Sequence, residues 1–201
     1  MYLYGASGHA KVVIEILESQ GIKIEGLFDD NESIKSLLEF PVQKFNASFI
    51  RNKKLIISIG NNAIREKIVT AINAEYGIAI HPKSTISPRS FIDEGTVIMA
   101  GVTINSGTQI GKHCIVNTNA SVDHDCVLEN YVHISPNVAS CGDVRIGEGT
   151  HIGTGAIIIP GKRIGRWCTI GAGSVVIKDI PDYSIAVGNP CKIIKSSKPV
   201  S

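Results

Sequence analysis

The chain has 201 residues, of which 43% are hydrophobic, 5% are aromatic and 20 are glycine, and its formal net charge is only +2. A high hydrophobic content with a small net charge excludes an intrinsically disordered chain. The near balance of charge also argues against a nucleic-acid-binding protein, which usually carries a concentrated basic face. A chain rich in isoleucine and glycine and poor in aromatic residues is typical of many short strands joined by tight turns.

The sequence predicts a soluble, cytoplasmic protein that does not insert into a membrane. Its longest apolar runs are too short to span a bilayer, and the first residues lack the basic and apolar regions of a secretory signal. The five cysteines form no CxxC pair, as expected where thiols stay reduced and serve as small buried residues.

The first part of the chain alternates strand and helix patterns. Short apolar strands are predicted at residues 2–4, 24–28 and 55–59, with one helix after the first strand and a second helix at 63–73. Such alternation predicts a small parallel sheet with helices on its faces, that is, a Rossmann-like α/β domain over residues 1–79.

Three polar loops follow these strands. They begin with the glycine-rich run Gly5-Ala-Ser-Gly-His-Ala, with the pair Asp29 and Asp30, and with Gly60-Asn-Asn. Ligands of parallel sheets bind outside the carboxyl ends of the strands, so we expect the three loops to converge. Glycines let a phosphate approach the N-terminus of a helix, and an acidic residue suits a ribose hydroxyl. The loops therefore predict a site for a nucleotide or a nucleotide-linked molecule.

The second part of the chain, residues 80–201, carries a six-residue repeat and ends in a short tail. Sixteen of the seventeen positions in the row from Ile80 to Val176 are aliphatic, and Ser140 is the exception. A small residue tends to follow four places later, and glycines directly after the aliphatic position, such as Gly111, are expected to turn the backbone with positive φ. Three strands with three corners close one triangular coil of eighteen residues, and such coils stack about 4.8 Å apart. The repeat therefore predicts a β-solenoid.

An amine or hydroxyl that attacks another molecule often requires a base that removes its proton as it attacks. A histidine with a pKa near 7 is the usual base in enzymes. His124 stands between Asp123 and Asp125, and a carboxylate beside a histidine raises its basicity and fixes its orientation.

The spacing of the histidines predicts their arrangement around the solenoid. His133 and His151 are eighteen residues apart, one full coil, so they stack in one column, and His113 stacks below Tyr131 in the same way. His124 and His133 are half a coil apart and face different directions. They can share one site only if another subunit contributes the second residue, and the simplest closed assembly of such prisms is a homotrimer.

The order of these motifs resembles one family, the NeuD/PglD-like hexapeptide-repeat acyltransferases, which includes sialic acid O-acetyltransferase and the bacillosamine-pathway UDP-4-amino-sugar N-acetyltransferase. The resemblance runs from residue 2 to about residue 195 and includes the closing Val187-Gly-Asn-Pro-Cys-Lys. It implies a Rossmann-like domain that binds a nucleotide-sugar, followed by an all-β left-handed parallel β-helix that binds acetyl-CoA.

The resemblance also implies roles for individual residues. The amino-sugar enzymes carry Asn-Thr…His-Glu-Cys where this chain has Asn117-Thr…His124-Asp-Cys, which implies His124 as the general base, with Asp125 tuning it. The implied substrate-binding residues are Ser7, Gly8, His9, Asp29, Asp30, Gly60 and Asn117. The implied acetyl-CoA-binding residues are His133, Gly142, Gly153, Thr154 and Ala172.

The expected activity is therefore N-acetylation, by acetyl-CoA, of the 4-amino group of a nucleotide-linked 4-amino-4,6-dideoxy sugar in glycan biosynthesis, with UDP as the expected nucleotide. Transfer is expected to be direct, because the cysteines of the repeat point inward and are poor nucleophiles. O-acetylation of a sialic acid-like sugar is the alternative within the family.

Two other classes of protein are the alternatives outside this family. A γ-type carbonic anhydrase has the same solenoid with three zinc-bound histidines, two of them close in sequence, whereas the repeat histidines here are 11, 9 and 18 residues apart. That class also lacks the glycine-loop domain, so no metal is expected. A nucleotide-sensing or scaffold protein without activity is the second class.

Overall fold

The computed structural model describes residues 1–196, which form an N-terminal α/β unit followed by a β-solenoid. Residues 197–201 of the predicted C-terminal tail lie outside the described residues. No helix of residues 1–196 is long and apolar enough to cross a membrane.

The N-terminal unit is built on a six-stranded sheet. Its strands are β1 (Tyr2–Tyr4), β2 (Gly26–Phe28), β3 (Ser36–Leu37), β4 (Phe40–Gln43), β5 (Lys54–Ile57) and β6 (Glu75–Tyr76). Their order is β3-β4-β2-β1-β5-β6, and all neighbours are parallel except β3 and β4. The helices are α1 (Gly8–Ser19), a 3₁₀ helix (Ala47–Ile50) and α2 (Asn62–Ala71). The predicted alternation of strand and helix is confirmed.

The two helices follow from local signals in the sequence. One face of α1 is apolar at helical spacing and buried, and it holds Ala10, Val13, Ile14, Ile16 and Leu17. This helix ends where Gly21 adopts a φ of +69°, which a glycine reaches without strain. α2 begins where the side chain of Asn61 accepts a hydrogen bond from the backbone N–H of Ile64 at 3.0 Å, as an N-cap does.

The solenoid consists of seventeen two-residue strands and a closing pair. The two-residue strands are β7 (Ala79–Ile80), β8 (Thr85–Ile86), β9 (Phe91–Ile92), β10 (Val97–Ile98), β11 (Thr103–Ile104), β12 (Gln109–Ile110), β13 (Ile115–Val116), β14 (Ser121–Val122), β15 (Val127–Leu128), β16 (His133–Ile134), β17 (Ala139–Ser140), β18 (Arg145–Ile146), β19 (His151–Ile152), β20 (Ile157–Ile158), β21 (Arg163–Ile164), β22 (Thr169–Ile170) and β23 (Val175–Val176). The closing strands β24 (Ser184–Val187) and β25 (Lys192–Ser196) pair antiparallel.

Every third strand pairs in parallel, so the solenoid has three faces. The first face begins with β7 and β10, the second with β8 and β11, and the third with β9 and β12. Partners are eighteen residues apart, as in the pair Val116 and Ile134, which confirms the predicted triangular coil of a left-handed parallel β-helix. The predicted aliphatic row lines the interior, and Ser140 is buried within it.

Three corners join these faces. The first corner follows the first face (residues 117–120 in one coil), the second corner follows the second face (residues 123–126), and the third corner follows the third face (residues 129–132), each repeating every eighteen residues.

Apart from Gly142, the corner glycines occupy one of two positions, either the first or the third residue after the aliphatic position, and this differs from the prediction. Positive φ belongs to the third residue after the aliphatic position, for example Gly107 and Asn119, so the expectation of positive φ at Gly111 was wrong. Glycine directly after the aliphatic residue is required for a different reason, the closeness of the next coil. A Cβ on Gly147 would lie 2.6 Å from the backbone nitrogen of Arg166 in the next coil, so only glycine fits there.

The N-terminal unit packs against the first face of the solenoid. One buried apolar cluster joins residues of both, including Leu3, Val13, Leu17, Val97, Met99 and Ile115. The predicted boundary between residues 79 and 80 falls within β7, the first strand of the solenoid, and it stays a prediction.

Candidate functional site

The glycine-rich loop leads from β1 directly into the N-terminus of α1. Gly5 has a φ of +107°, and a Cβ there would lie 3.0 Å from the carbonyl oxygen of Ser58. Ser7 precedes the helix with an extended backbone and makes no side-chain capping bond, and both Ser7 and Gly8 are exposed. The first turn of α1 therefore presents backbone N–H groups and a positive dipole end to a ligand.

The acidic pair lies beside this loop because β2 is the neighbour of β1. Asp29 accepts hydrogen bonds from the backbone N–H of Ala6 at 2.7 Å and of Asn31 at 2.8 Å, so its carboxylate fixes the loop as well as lining it. Asp30 is exposed. Burial raises the pKa of Tyr4 well above its usual range, and the neighbouring Asp30 raises it further.

Gly60 follows β5 on the other side of β1, so the three predicted loops do end at one sheet edge. Its carbonyl oxygen accepts a hydrogen bond from Nδ1 of His133 at 3.2 Å and another from Nη1 of Arg65 at 3.3 Å. Gly60 therefore connects the three N-terminal loops with the first face of the solenoid.

His133 is the centre of a histidine cluster on that face. A carbonyl oxygen only accepts, so Nδ1 of His133 carries the hydrogen, and Nε2 accepts from the amide of Asn117 at 3.3 Å. His151 stacks on it at 4.9 Å between ring centroids, which confirms the predicted column, and His9 lies 6.5 Å away. Nε2 of His151 lies 2.8 Å from the hydroxyl of Ser135.

Burial keeps this cluster neutral. Desolvation lowers the pKa of His133 to about 3, and the neighbouring His151, Arg65 and His9 lower it further. Burial lowers the pKa of His9 to about 4 and also lowers the pKa of His151, with Arg65 contributing to both. Near neutral pH these imidazoles can donate or accept hydrogen bonds, but they do not take up an additional proton.

His124 has the opposite environment, on the second corner. Its side chain is 59% exposed, and its Nδ1 lies 2.8 Å from a carboxylate oxygen of Asp125. The carboxylate of Asp123 accepts from the backbone N–H of His124 at 2.9 Å and is held in turn by the amide of Asn105 at 2.7 Å. The bond to Asp125 and the charge of Asp123 raise the pKa of His124 above its ordinary value.

With Nδ1 committed to Asp125, the Nε2 of His124 is the atom left for chemistry. The ring lies against the backbone of Gly142, one coil further along, where a Cβ would come within 2.5 Å of Nε2. An oriented imidazole with an accessible lone pair and a pKa raised above its ordinary value is suited to accept a proton from an attacking nucleophile.

The remaining predicted residues lie on the first corner, one side of the prism away from His124. Gly153, Thr154 and Ala172 belong to it, as does Asn117. A Cβ on Gly153 would lie 2.6 Å from the backbone nitrogen of Ala172, so these two coils are in close contact. Within one chain, the structure therefore brings His133 to the N-terminal loops and Gly142 to His124, but it leaves these two groups apart.

The structure also reveals residues that sequence reasoning missed. A cavity of about 370 Å³ lies between the start of α2 and the first face, and Trp167 lines it together with His133 and His151. A signal for Trp167 existed, because it is the only tryptophan and occupies a corner position where φ is +52°. Arg65, buried to 1% exposure beneath the same loops, gave no signal, because one arginine in a helical pattern is expected to face solvent.

Among residues 1–196, no group of three or more histidine, cysteine or carboxylate side chains is placed to hold a metal ion. The buried cysteines Cys114, Cys126 and Cys168 fill the small-residue positions of the corners, as predicted. Burial raises the pKa of each of these thiols, which makes them poor nucleophiles.

Comparisons with known proteins match both parts of the chain. The family model of the PglD N-terminal domain matches residues 1–72, and the model of the bacterial transferase hexapeptide matches residues 143–178. A GDP-perosamine N-acetyltransferase of Escherichia coli is 31% identical over 173 residues, which cover 79% of this chain and 77% of that protein.

Two solved structures resemble the whole fold. PerB from Caulobacter crescentus, in complex with CoA and GDP-perosamine, is 37% identical with a TM-score of 0.91, and 96% of each chain is covered. The acetyltransferase domain of PglB from Neisseria gonorrhoeae, in complex with acetyl coenzyme A, is 36% identical with a TM-score of 0.87, covering 96% of this chain and 98% of that one.

Proposed function

Because the chain belongs to the PglD-like family of hexapeptide-repeat acyltransferases, we propose that it transfers the acetyl group of acetyl-CoA to the 4-amino group of a nucleotide-linked 4-amino-4,6-dideoxy sugar. The relatives named above as perosamine enzymes are sugar N-acetyltransferases, and the solved structures hold CoA or acetyl-CoA, which supports this reaction and co-substrate. Their GDP-perosamine supports GDP as the nucleotide, whereas the sequence motifs favoured UDP, so the test includes both.

The observation that carries this proposal is the pairing of His124 with Asp125 at 2.8 Å on an exposed corner of the solenoid. The sugar nitrogen attacks as the neutral amine, and it must lose one further proton as the C–N bond forms. Among the histidines whose surroundings shift their pKa, His124 is the one shifted upward. It is therefore the histidine suited to accept that proton.

The reaction proceeds in one complex, without an acyl-enzyme. The neutral sugar amine attacks the thioester carbonyl while Nε2 of His124 takes one proton from the attacking nitrogen, so a C–N bond forms and the C–S bond breaks. Asp125 stabilises the imidazolium that results. The proton then passes to the departing CoA thiolate, and a backbone N–H of the solenoid stabilises the negative charge on the carbonyl oxygen.

The two substrates occupy different parts of the chain in this proposal. The N-terminal unit, residues 1–79, binds the nucleotide-sugar through the loops that begin at Gly5, Asp29 and Gly60, and the solenoid, from residue 80 onward, binds acetyl-CoA. Support comes from the exposed start of α1, which suits a diphosphate, and from the close coils at Gly153 on the first corner. The acetyl-CoA residues on this view are His133, Gly142, Gly153, Thr154 and Ala172.

A homotrimer completes the site. His124 stands on the second corner, whereas His133 and the N-terminal loops lie on the first face, so one chain alone cannot bring both to one acetyl group. A second copy that places its second corner against this first face does so. The expected mass in solution is three times 21.5 kDa by light scattering, and a monomeric active enzyme would contradict a shared site.

The activity is tested by CoA release from acetyl-CoA with GDP- and UDP-linked 4-amino-4,6-dideoxy sugars, and with free sialic acid as the contrast. We expect release with an amino-sugar nucleotide only, and turnover of sialic acid alone would contradict the proposal. A cytoplasmic location belongs to the same proposal and is supported by five cysteines that form no disulfide.

A further inference from the structure

The first turn of α2 holds three successive backbone carbonyls of the third corner. Nε of Arg65 donates to the carbonyl oxygen of His113 at 2.8 Å, and Nη2 donates to that of Tyr131 at 2.8 Å. The amide of Asn62 donates to the carbonyl oxygen of Gly149 at 3.0 Å. These three acceptors are eighteen residues apart in turn, so the helix contacts one rung after another of the solenoid.

The same guanidinium holds the loop that carries Gly60. Its Nη1 donates to the carbonyl oxygens of Ile59 at 3.0 Å and Gly60 at 3.3 Å, and Nη2 also donates to the side chain of Asn62 at 2.9 Å. The Gly60 carbonyl in turn accepts the Nδ1 hydrogen of His133. A continuous set of hydrogen bonds therefore runs from the third corner, through Arg65, to the loop and to His133.

We propose that Arg65 is a positioning residue, whose planar fork of donors sets the register between the nucleotide-sugar loop and the solenoid and thereby orients His133. This inference rests on the proposed function for its kinetic consequence only. The fork is needed because the acceptors are carbonyls on neighbouring coils, about 4.8 Å apart, and a lysine ammonium carries the charge without that geometry.

The charge of Arg65 has no counter-ion, which argues against a purely structural bridge. Its side chain is buried to 1% exposure, its partners are all neutral oxygens, and among residues 1–196 no carboxylate forms an ion pair with it. A neutral side chain could donate such hydrogen bonds at a lower desolvation cost. An unpaired cation beneath the loop favours an anionic ligand above it and opposes protonation of the neighbouring imidazoles.

The test compares Arg65→Met and Arg65→Lys with the wild-type protein, and Arg51→Met, an exposed arginine of the same unit, is the matched control. Steady-state rates are measured where each variant is folded by circular dichroism. We expect kcat of Arg65→Met to fall about 100-fold and that of Arg65→Lys about tenfold, with KM for acetyl-CoA changed less than threefold. A folded Arg65→Met whose kcat stays within threefold of wild type overturns the proposal, and if that variant does not fold, Arg65→Lys decides by the same criterion.

A second readout does not depend on activity. Nitrogen-15 spectra of histidine distinguish the two tautomers, and wild-type His133 is expected to carry its hydrogen on Nδ1. In the Arg65 variants the Gly60 carbonyl loses its anchor, so a mixture of tautomers is expected at His133, while Arg51→Met retains the wild-type spectrum. An Nε2–H tautomer in wild type, or an unchanged one in both Arg65 variants, overturns the proposal even if no sugar proves to be a substrate.

Discussion

One histidine on the second corner and three histidines under the N-terminal loops differ in exposure, in the charges beside them and in the direction of their pKa shifts. On the second corner, His124 is exposed and flanked by two carboxylates, and its pKa is raised. On the first face, His133, His151 and His9 are packed under the N-terminal loops above the buried cation of Arg65, and their pKa values are lowered.

This contrast separates proton transfer from positioning. Only a histidine that titrates near working pH can alternate between base and acid during acetyl transfer. A neutral histidine whose hydrogen bonds fix its tautomer, as the Gly60 carbonyl and the Asn117 amide do for His133, is suited to orient a ligand. In the proposed function, the chain therefore contributes a base from one side of the prism and an orienting surface from another, and the predictions below test this division.

The largest effect is expected at the base itself. His124→Ala removes the only group proposed to take the acceptor proton, so kcat/KM should fall about 10²–10⁴-fold in an acetyl-CoA consumption assay. His81→Ala is the matched control, because His81 lies in the first coil of the solenoid outside the proposed site. Full activity in His124→Ala would assign the base elsewhere.

Gly142→Ala should disturb the same imidazole without removing it. The new Cβ would lie 2.5 Å from Nε2 of His124, so the ring must move while the rest of the corner stays folded. A misplacement of about 1 Å can cost up to about 100-fold, and we expect kcat to fall by about tenfold or more with an unchanged circular dichroism spectrum. Wild-type kcat in this variant would show that Nε2 is not the reacting atom.

Asp125→Asn should shift the pH dependence more than the maximal rate. The hydrogen bond to the Asp125 carboxylate is the main cause of the raised pKa of His124. Without that charge the pKa falls, so the acidic limb of the kcat/KM profile should move to lower pH. An acidic limb that stays in place would show that another group controls it, and Asp143→Asn on the same corner serves as the comparison.

The smallest expected effect is on stability in mild acid. His133 has a pKa of about 3 in the folded protein and about 6.5 when unfolded, so the unfolded chain binds the extra proton as the pH falls through 6.5. The free energy of unfolding should drop by about 2 kcal/mol between pH 7 and pH 5 for such a histidine. His124, with its raised pKa, acts with the opposite sign. Thermal unfolding of His133→Asn should depend less on pH than that of wild type or His81→Asn, and an equal dependence would contradict a neutral His133.

The solenoid could be predicted almost completely, because one six-residue period in the sequence sets the position of each strand and each corner. Each aliphatic residue of the row is the interior residue of a strand. The eighteen-residue spacing of His133 and His151 correctly predicted that their rings stack. The positive φ at the corners was assigned to the wrong glycines, because two constraints, a left-handed turn and a close neighbouring coil, both select glycine.

The joint between the two units could not be predicted in this way. The bond from His133 to the Gly60 carbonyl spans 73 residues, and those of Arg65 to the third corner span 48 and 66. No local period encodes such contacts, which depend on how α2 docks on a face formed later in the chain. The strands β3 and β4 were also missed, because short edge strands with mixed residues lack a clear alternation.

One measurement tests the division between the two groups most directly, namely the titration of all six histidines by NMR of the wild-type protein. We expect His124 to titrate above 6.5 and His151 below it, and we expect His133 and His9 to remain neutral as the pH is lowered to 5.5. A His133 that titrates near 6.5, or a His124 that titrates below it, would contradict the assignment of base and orienting residue.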